Sequence, residues 1–435
     1  MTDDALPEVV RLRNGLTVLL EPLPGTHVVA ICLHVGTGFR NEPVAGAAHL
    51  LEHVLVQGAS SSRPLTDAVL ATGGTMNART AADYTQYTTV LPAAGLETGL
   101  RIERDRLSRP DLSAAHVAAQ KDVVLAEIRR NITQRPHGGL VLFELPDLLH
   151  DSWENRHNGY GDANALSGLD PAGLRTFYDR SYAPENVHLA LAGDFDTDRA
   201  LLLAEETLGT LPGRPTWQRT TVAEERLTAP RQRTRTDRAA PAARTVCGFR
   251  SPDPASDPAG HLATVLLSEL VETVGGQCGR HTPSEHPWGE FRARVSRTGN
   301  PFDVAHGCLF AVDFPHPVTA SPQEAEDCLR HLLGGIAEGR VPVGEQLAVI
   351  RRQTALHLHA ELDSVTSRAS WLGIGAAVHG DPRHLASVPD ALRAVTDQDV
   401  ARWAARYATQ PGARISSVPV AAGDGSAPQP AGAAR

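Results

Sequence analysis

At 435 residues the chain is too long for one ordinary core, and two domains of about 200 residues each are expected. Hydrophobic residues at 41% and charged residues at 21% exclude a disordered chain; a net charge of −9, with scattered Arg and Lys121 as the only Lys, excludes a basic nucleic-acid-binding stripe. The acidic start and the absence of any run near 18 apolar residues argue against a secretory leader or membrane span, so a cytoplasmic location is expected.

The first elements read as β. Val9 to Leu12 and Leu16 to Leu20, separated by the turn Asn14-Gly15, predict a hairpin, and Val28 to Val35 a third strand. Helical periodicity takes over from about Gly46 to Val56 and stops at Gly58 with Ser60, Ser61 and Ser62. A second helix is expected from Thr66 to Ala71, then a polar stretch, then a strand from Tyr84 to Leu91. Val117, Val124, Leu125 and Ile128 recur at helical spacing and predict a long helix from Ser113 to Asn131. A helix from Pro171 to Asp179 then feeds the apolar strand Val187 to Ala192.

From Leu211 to Ala243 the composition shifts to Arg, Thr, Pro and Ala, which marks the domain boundary. The expected division is a first domain at 1–212, a linker at 213–235, a second, related domain at 236–419 and an unfolded tail at 420–435. Leu169-Asp170-x-x-x-Leu174-x-x-Phe177 is echoed by Val395-Thr396-x-x-x-Val400-x-x-Trp403, each followed by a Tyr and a β-rich run, which suggests two copies of one α+β unit. Cys32, Cys247, Cys278, Cys308 and Cys328 are far apart and form no C-x-x-C pair, so reduced core thiols are expected.

The strongest local signal is His49-Leu50-Leu51-Glu52-His53. Residues four apart share a helix face, so two imidazoles there can grip one metal with Glu52 beside them. A zinc site that performs chemistry takes three protein ligands and leaves a position for water. Glu127, on the long helix, is a candidate third donor. Taken alone, two histidines in an apolar helix are equally compatible with hydrogen-bonded core residues.

The surrounding segments resemble the pitrilysin and mitochondrial processing peptidase family of inverted-motif zinc metallopeptidases. Gly36-Thr37-Gly38-Phe39-Arg40-Asn41-Glu42 leads into the motif; Gly73-Gly74-Thr75-Met76-Asn77-Ala78 and Thr85-Gln86-Tyr87 follow in the family's order. Val124-Leu125-Ala126-Glu127-Ile128 resembles the segment carrying the third ligand, and Tyr182-Ala183-Pro184-Glu185-Asn186-Val187 the later strand entry. The resemblance covers roughly residues 8 to 200. It implies a fold of two similar α+β domains, each an antiparallel-rich sheet with helices packed on it. It also implies Zn²⁺ held by His49, His53 and Glu127, Glu52 as general base, and substrate backbone lying along Asn77 and Ala78.

Two departures stand out. Gln120 occupies a position where many members carry Glu, and it is expected to support a ligand by hydrogen bonding without adding charge. The Arg and Tyr that many members use in the second domain to hold substrate are expected to be missing, Phe291 lying about where that Tyr would fall. The implied function is a zinc endopeptidase subunit acting on peptides or a peptide precursor. Its implied partner is a homologous subunit carrying the Arg/Tyr pair, with a homodimer as the alternative. A non-catalytic scaffold or partner-binding subunit of the same family is the competing reading.

Overall fold

The first β-rich runs pair as expected: β1 (Glu8–Arg11) and β2 (Thr17–Pro22) form an antiparallel hairpin. Its turn needs Gly15, at φ +91°, and is pinned by the Asn14 side chain, which accepts from the Leu16 N–H. This computed structural model describes residues 7–58, 64–108, 110–214, 222, 224–275 and 288–420. The Ser60 to Ser62 helix stop, Cys278 and the expected tail from Ala421 onward lie outside the described residues.

β3 (Val28–Val35) does not follow β2 in the sheet. The strand β6 (Val187–Gly193) inserts between them, parallel to β2 and antiparallel to β3. With β4 (Thr75–Thr80) and β5 (Thr85–Pro92) the order is β1-β2-β6-β3-β5-β4. The near-continuous apolar runs of β3 and β6 account for their central places, since both faces of each are buried.

The second half repeats this plan. Strands β7 (Arg231–Asp237), β8 (Ala243–Arg250), β9 (Arg292–Val295), β10 (Leu309–His316) and β11 (Ala413–Pro419) take the order β7-β11-β8-β10-β9, which matches β2-β6-β3-β5-β4 position by position. The sequence echo marks equivalent places. Asp170 caps the helix Pro171–Ser181 before β6, and Thr396 caps the helix Asp397–Thr409 before β11. Both β6 and β11 lie parallel to one neighbour and antiparallel to the other.

β7 begins inside the stretch read as linker. Its period-2 pattern is made of arginines, so hydrophobic alternation could not reveal it. Arg231, Arg233 and Arg235 reach Asp151, Asp147 and Glu144 at 2.6, 2.9 and 2.7 Å. These acids belong to or flank the segment Leu140–Leu149, so the ion pairs bind first-half chain to the second sheet.

The two halves also exchange cover. One face of β3 packs Val29, Ile31 and Leu33 onto first-half helices. The opposite face presents Ala30 and Cys32, with Ala190 and Ala192 of β6, to Ala369 and Leu372 of the second-half helix Val365–Ile374. Reciprocally, Leu140, Leu145 and Leu149 of the first half cover Val246, Leu309 and Ile415 of the second sheet. Glycines permit both approaches. A Cβ on Gly373 would stand 2.0 Å from the His34 ring, and one on Gly248 2.5 Å from Leu145. Packing therefore crosses the expected boundary at 213–235. The cysteines also differ from expectation at one position. Cys32, Cys247 and Cys308 are buried and free, but Cys328 is disulfide-bonded, because spatial approach and not spacing along the chain decides pairing.

His34, fully buried under the exchanged helix, has neither ring nitrogen in a hydrogen bond of good geometry. Burial first, then the neighbouring His188, drives its pKa from 6.5 to about 3. The unfolded chain takes up this proton near pH 6.5, whereas the folded chain does not until about pH 3. The contribution is thus complete above pH 6.5 and is lost as pH falls. We predict that below pH 6.5 the wild type loses stability to urea faster than His34→Leu, by up to about 1.4 kcal/mol per pH unit. Parallel pH profiles for the two proteins would refute this.

Candidate metal centre

The helix Ala47–Gln57 carries the motif and is fixed by its own apolar residues and at both ends. Leu50, Leu51, Val54 and Leu55 are fully buried, each contributing roughly 1.5–3 kcal/mol of burial. At the N-terminus Gly46 adopts φ 88° and the buried Glu42 carboxylate accepts from the N–H groups of Gly46 and Ala48 at 2.7 and 2.8 Å. A carboxylate there satisfies orphan donors and complements the helix dipole. His157 holds Glu42 in place, its Nε2 lying 3.0 Å from Glu42 Oε1. Near the C-terminus the buried Arg106 guanidinium donates to the Leu55 carbonyl at 2.8 Å.

These anchors aim His49, Glu52 and His53 at one cavity of about 480 Å³. The helix Ala114–Ile128 brings Glu127 to the same place and continues as a π-helical turn through Thr133. His49 Nε2 and His53 Nε2 are 3.2 Å apart, and Glu127 Oε2 lies 3.8 Å from the first and 3.4 Å from the second. A tetrahedral zinc with bonds of about 2.0–2.1 Å separates its ligand atoms by about 3.3 Å. The three donors fit such an ion, and they are the one cluster of this kind among the described residues.

Electrostatics agree with that use. Burial, reinforced by His53 and opposed by Glu127, lowers the His49 pKa to about 4, so its imidazole is neutral at pH 7 and free to ligate. Glu127 is held below its ordinary value, first by its hydrogen bond with His53. Asn131 donates weakly to its other oxygen at 3.4 Å. Glu52 is no part of the triad; its Oε2 accepts from the Thr80 hydroxyl at 2.6 Å. Burial raises its pKa, with Thr80 and His53 opposing.

The other expected site residues divide. Asn77 and Ala78 lie on β4, the edge strand of the first sheet, and Ala78 lines the cavity. Gln120 is buried on the Glu127 helix and makes no hydrogen bond to the donors. Phe291 is a core residue stacked on Phe314 at 4.3 Å between ring centroids. Thr80, Arg106, Tyr160 and Arg297 act through distant chain and so carry no local sequence signal, whereas Glu42 caps the motif helix from a few residues upstream. Arg297 enters from the second half, donating to the carbonyls of His157 and Asn155 above the Phe39 ring. A larger cavity of about 570 Å³, beside Trp153 and Arg180, contains none of the three donors.

Residues 17–145 match the family described as Insulinase (Peptidase family M16), and residues 168–280 match Peptidase M16 inactive domain. The chain belongs to peptidase family M16. An uncharacterized zinc protease of Mycobacterium tuberculosis is 33% identical over 207 residues, covering 47% of each protein. The mitochondrial-processing peptidase subunit beta of Blastocladiella emersonii is 28% identical over 213 residues, or 47% of this chain and 44% of that protein. The aligned stretch thus spans about half the length of these relatives. A protease from Helicobacter pylori shares the M16 fold from end to end, with TM-score 0.84 at 18% identity over 95% of this chain and 99% of that one. The periplasmic protease PqqL from Escherichia coli matches 96% of this chain with 48% of its own, at TM-score 0.73 and 18% identity.

Proposed function

We propose that this M16 chain is a zinc-dependent endopeptidase subunit in which His49, His53 and Glu127 hold the metal and Glu52 is the general base. The convergence of three donors at 3.2–3.8 Å with a buried carboxylate beside them carries this reading. A bound Zn²⁺ acidifies its water and polarises the scissile carbonyl. The chain's own groups do the rest. An extended peptide lies along the β4 edge at Asn77 and Ala78, which places its carbonyl over the cavity. Glu52 takes the proton of the attacking water as the O–C bond forms and delivers it to the amine as the C–N bond breaks. Thr80 fixes the Glu52 carboxylate for both transfers.

The reading includes a second, homologous subunit, because the second half sends no tyrosine to the cavity among the described residues. Tyr407 is buried in the core against Thr264, 3.0 Å away. PqqL, whose chain is about twice as long as the portion matched, is consistent with a two-part assembly. Purified chain should bind about one zinc and cleave a mixed peptide library only when a homologous subunit is added. Full, specific hydrolysis by the isolated chain would sink the partner requirement; absence of both zinc and cleavage in every mixture would favour a scaffold.

A further inference from the structure

Resting on the peptidase reading, we propose that the Tyr160 hydroxyl is a catalytic hydrogen-bond donor to the oxyanion that forms when water adds to the scissile carbonyl. Tyr160 sits in the short segment Asn158-Gly159-Tyr160-Gly161, built to present it rigidly. The Asn158 carboxamide accepts from the Tyr160 N–H at 2.9 Å and donates to the Gly161 carbonyl at 3.0 Å. Both flanking glycines are required by close approach. A Cβ on Gly159 would lie 2.3 Å from the Phe39 ring, and Gly161, at φ +79°, would press one to within 2.8 Å of the Ala45 carbonyl. The segment is thereby locked against the loop and N-terminus of the motif helix.

From that base the phenol reaches into the metal cavity. Its ring meets His49 edge-on with centroids 4.8 Å apart and leans on Phe143 at 5.5 Å. Among the described residues the hydroxyl has no hydrogen-bond partner, although the ring is packed on two sides. The backbone of Tyr160 also lies against the His49 imidazole. One residue thus lies against a ligand through its backbone and leaves a donor free beside the reacting atoms.

Hydrolysis converts a neutral carbonyl oxygen to an anion, and a fixed donor aimed there stabilises the transition state more than the ground state. The step balances simply. The water oxygen bonds to the carbonyl carbon, the π pair moves to the carbonyl oxygen, and Glu52 holds the proton released. The Tyr160 O–H donates to the new anion and keeps its proton as the carbonyl re-forms and the amine departs. Packing alone would ask only for an aromatic ring at this position.

The test compares wild type with Tyr160→Phe, each in the assembly that hydrolyses peptides. Expected is a fall in kcat of about 10²–10³ with KM within about twofold. Affinity for a phosphonate peptide, a tetrahedral anion, should fall in parallel with kcat/KM. Affinity for a product peptide and zinc per chain should be unchanged. A kcat within about twofold of wild type, or equal losses for phosphonate and product peptides, overturns the assignment while leaving the peptidase reading intact. A wild type that neither binds zinc nor hydrolyses in any mixture overturns both.

Discussion

Replacing Glu52 by Gln is expected to lower kcat by about 10²–10⁴-fold while leaving zinc per chain unchanged. The expectation separates two roles that the motif places side by side. His49, His53 and Glu127 converge on one point, whereas Glu52 hydrogen-bonds Thr80 and stands outside the triad. Gln keeps the shape and still accepts from Thr80, so the fold and the donors should be undisturbed. Only the ability to take and return a proton disappears. Metal analysis alongside steady-state kinetics gives the answer, and loss of zinc in Glu52→Gln would show that Glu52 is a ligand instead.

Arg106→Met should cost about 3–5 kcal/mol of unfolding free energy, the largest stability effect expected for one side chain near the site. Arg106 and Glu103 are both fully buried, paired at 2.8 Å on successive turns of the helix Leu96–Ser108. The guanidinium also donates to the Leu55 carbonyl at 2.8 Å and covers the Tyr87 ring at 4.5 Å. Methionine removes the cation and leaves the Glu103 carboxylate buried with Thr89, at 3.1 Å, as its remaining partner. Because a buried pair owes much of its apparent strength to the penalty of leaving one charge alone, Glu103→Leu combined with Arg106→Met should restore most of the loss. Urea unfolding of the three proteins decides it; a single-variant cost below about 1 kcal/mol would mean that water or a rearranged side chain solvates Glu103.

The donors were legible because helix geometry converts sequence spacing directly into space. Four residues on a helix return to the same face, so His49 and His53 needed no tertiary information. Glu127 was legible only through the family pattern around Val124 and Ile128, since nothing local ties it to a helix 74 residues earlier. β4 looks like a polar stretch in sequence because, as an edge strand with no buried residue, it needs no apolar run, and β7 looks like linker because its alternation is ionic.

What the sequence by itself determined is therefore the set of quantities carried by short-range periodicity. These are the hairpin, the motif helix, the long helix bearing Glu127, and the repeated capped helix before β6 and β11. Tertiary structure decided what depends on chain meeting distant chain. It inserted β6 between β2 and β3, exchanged cover between the halves across Gly373 and Gly248, and clamped the motif helix with Arg106 and, through Glu42, with His157. It also placed Tyr160 and Arg297 in the cavity of the three donors and paired Cys328. Local geometry follows from backbone stereochemistry within a few residues, but which surfaces meet depends on shape, desolvation and charge summed over the whole chain, and no local pattern encodes that sum.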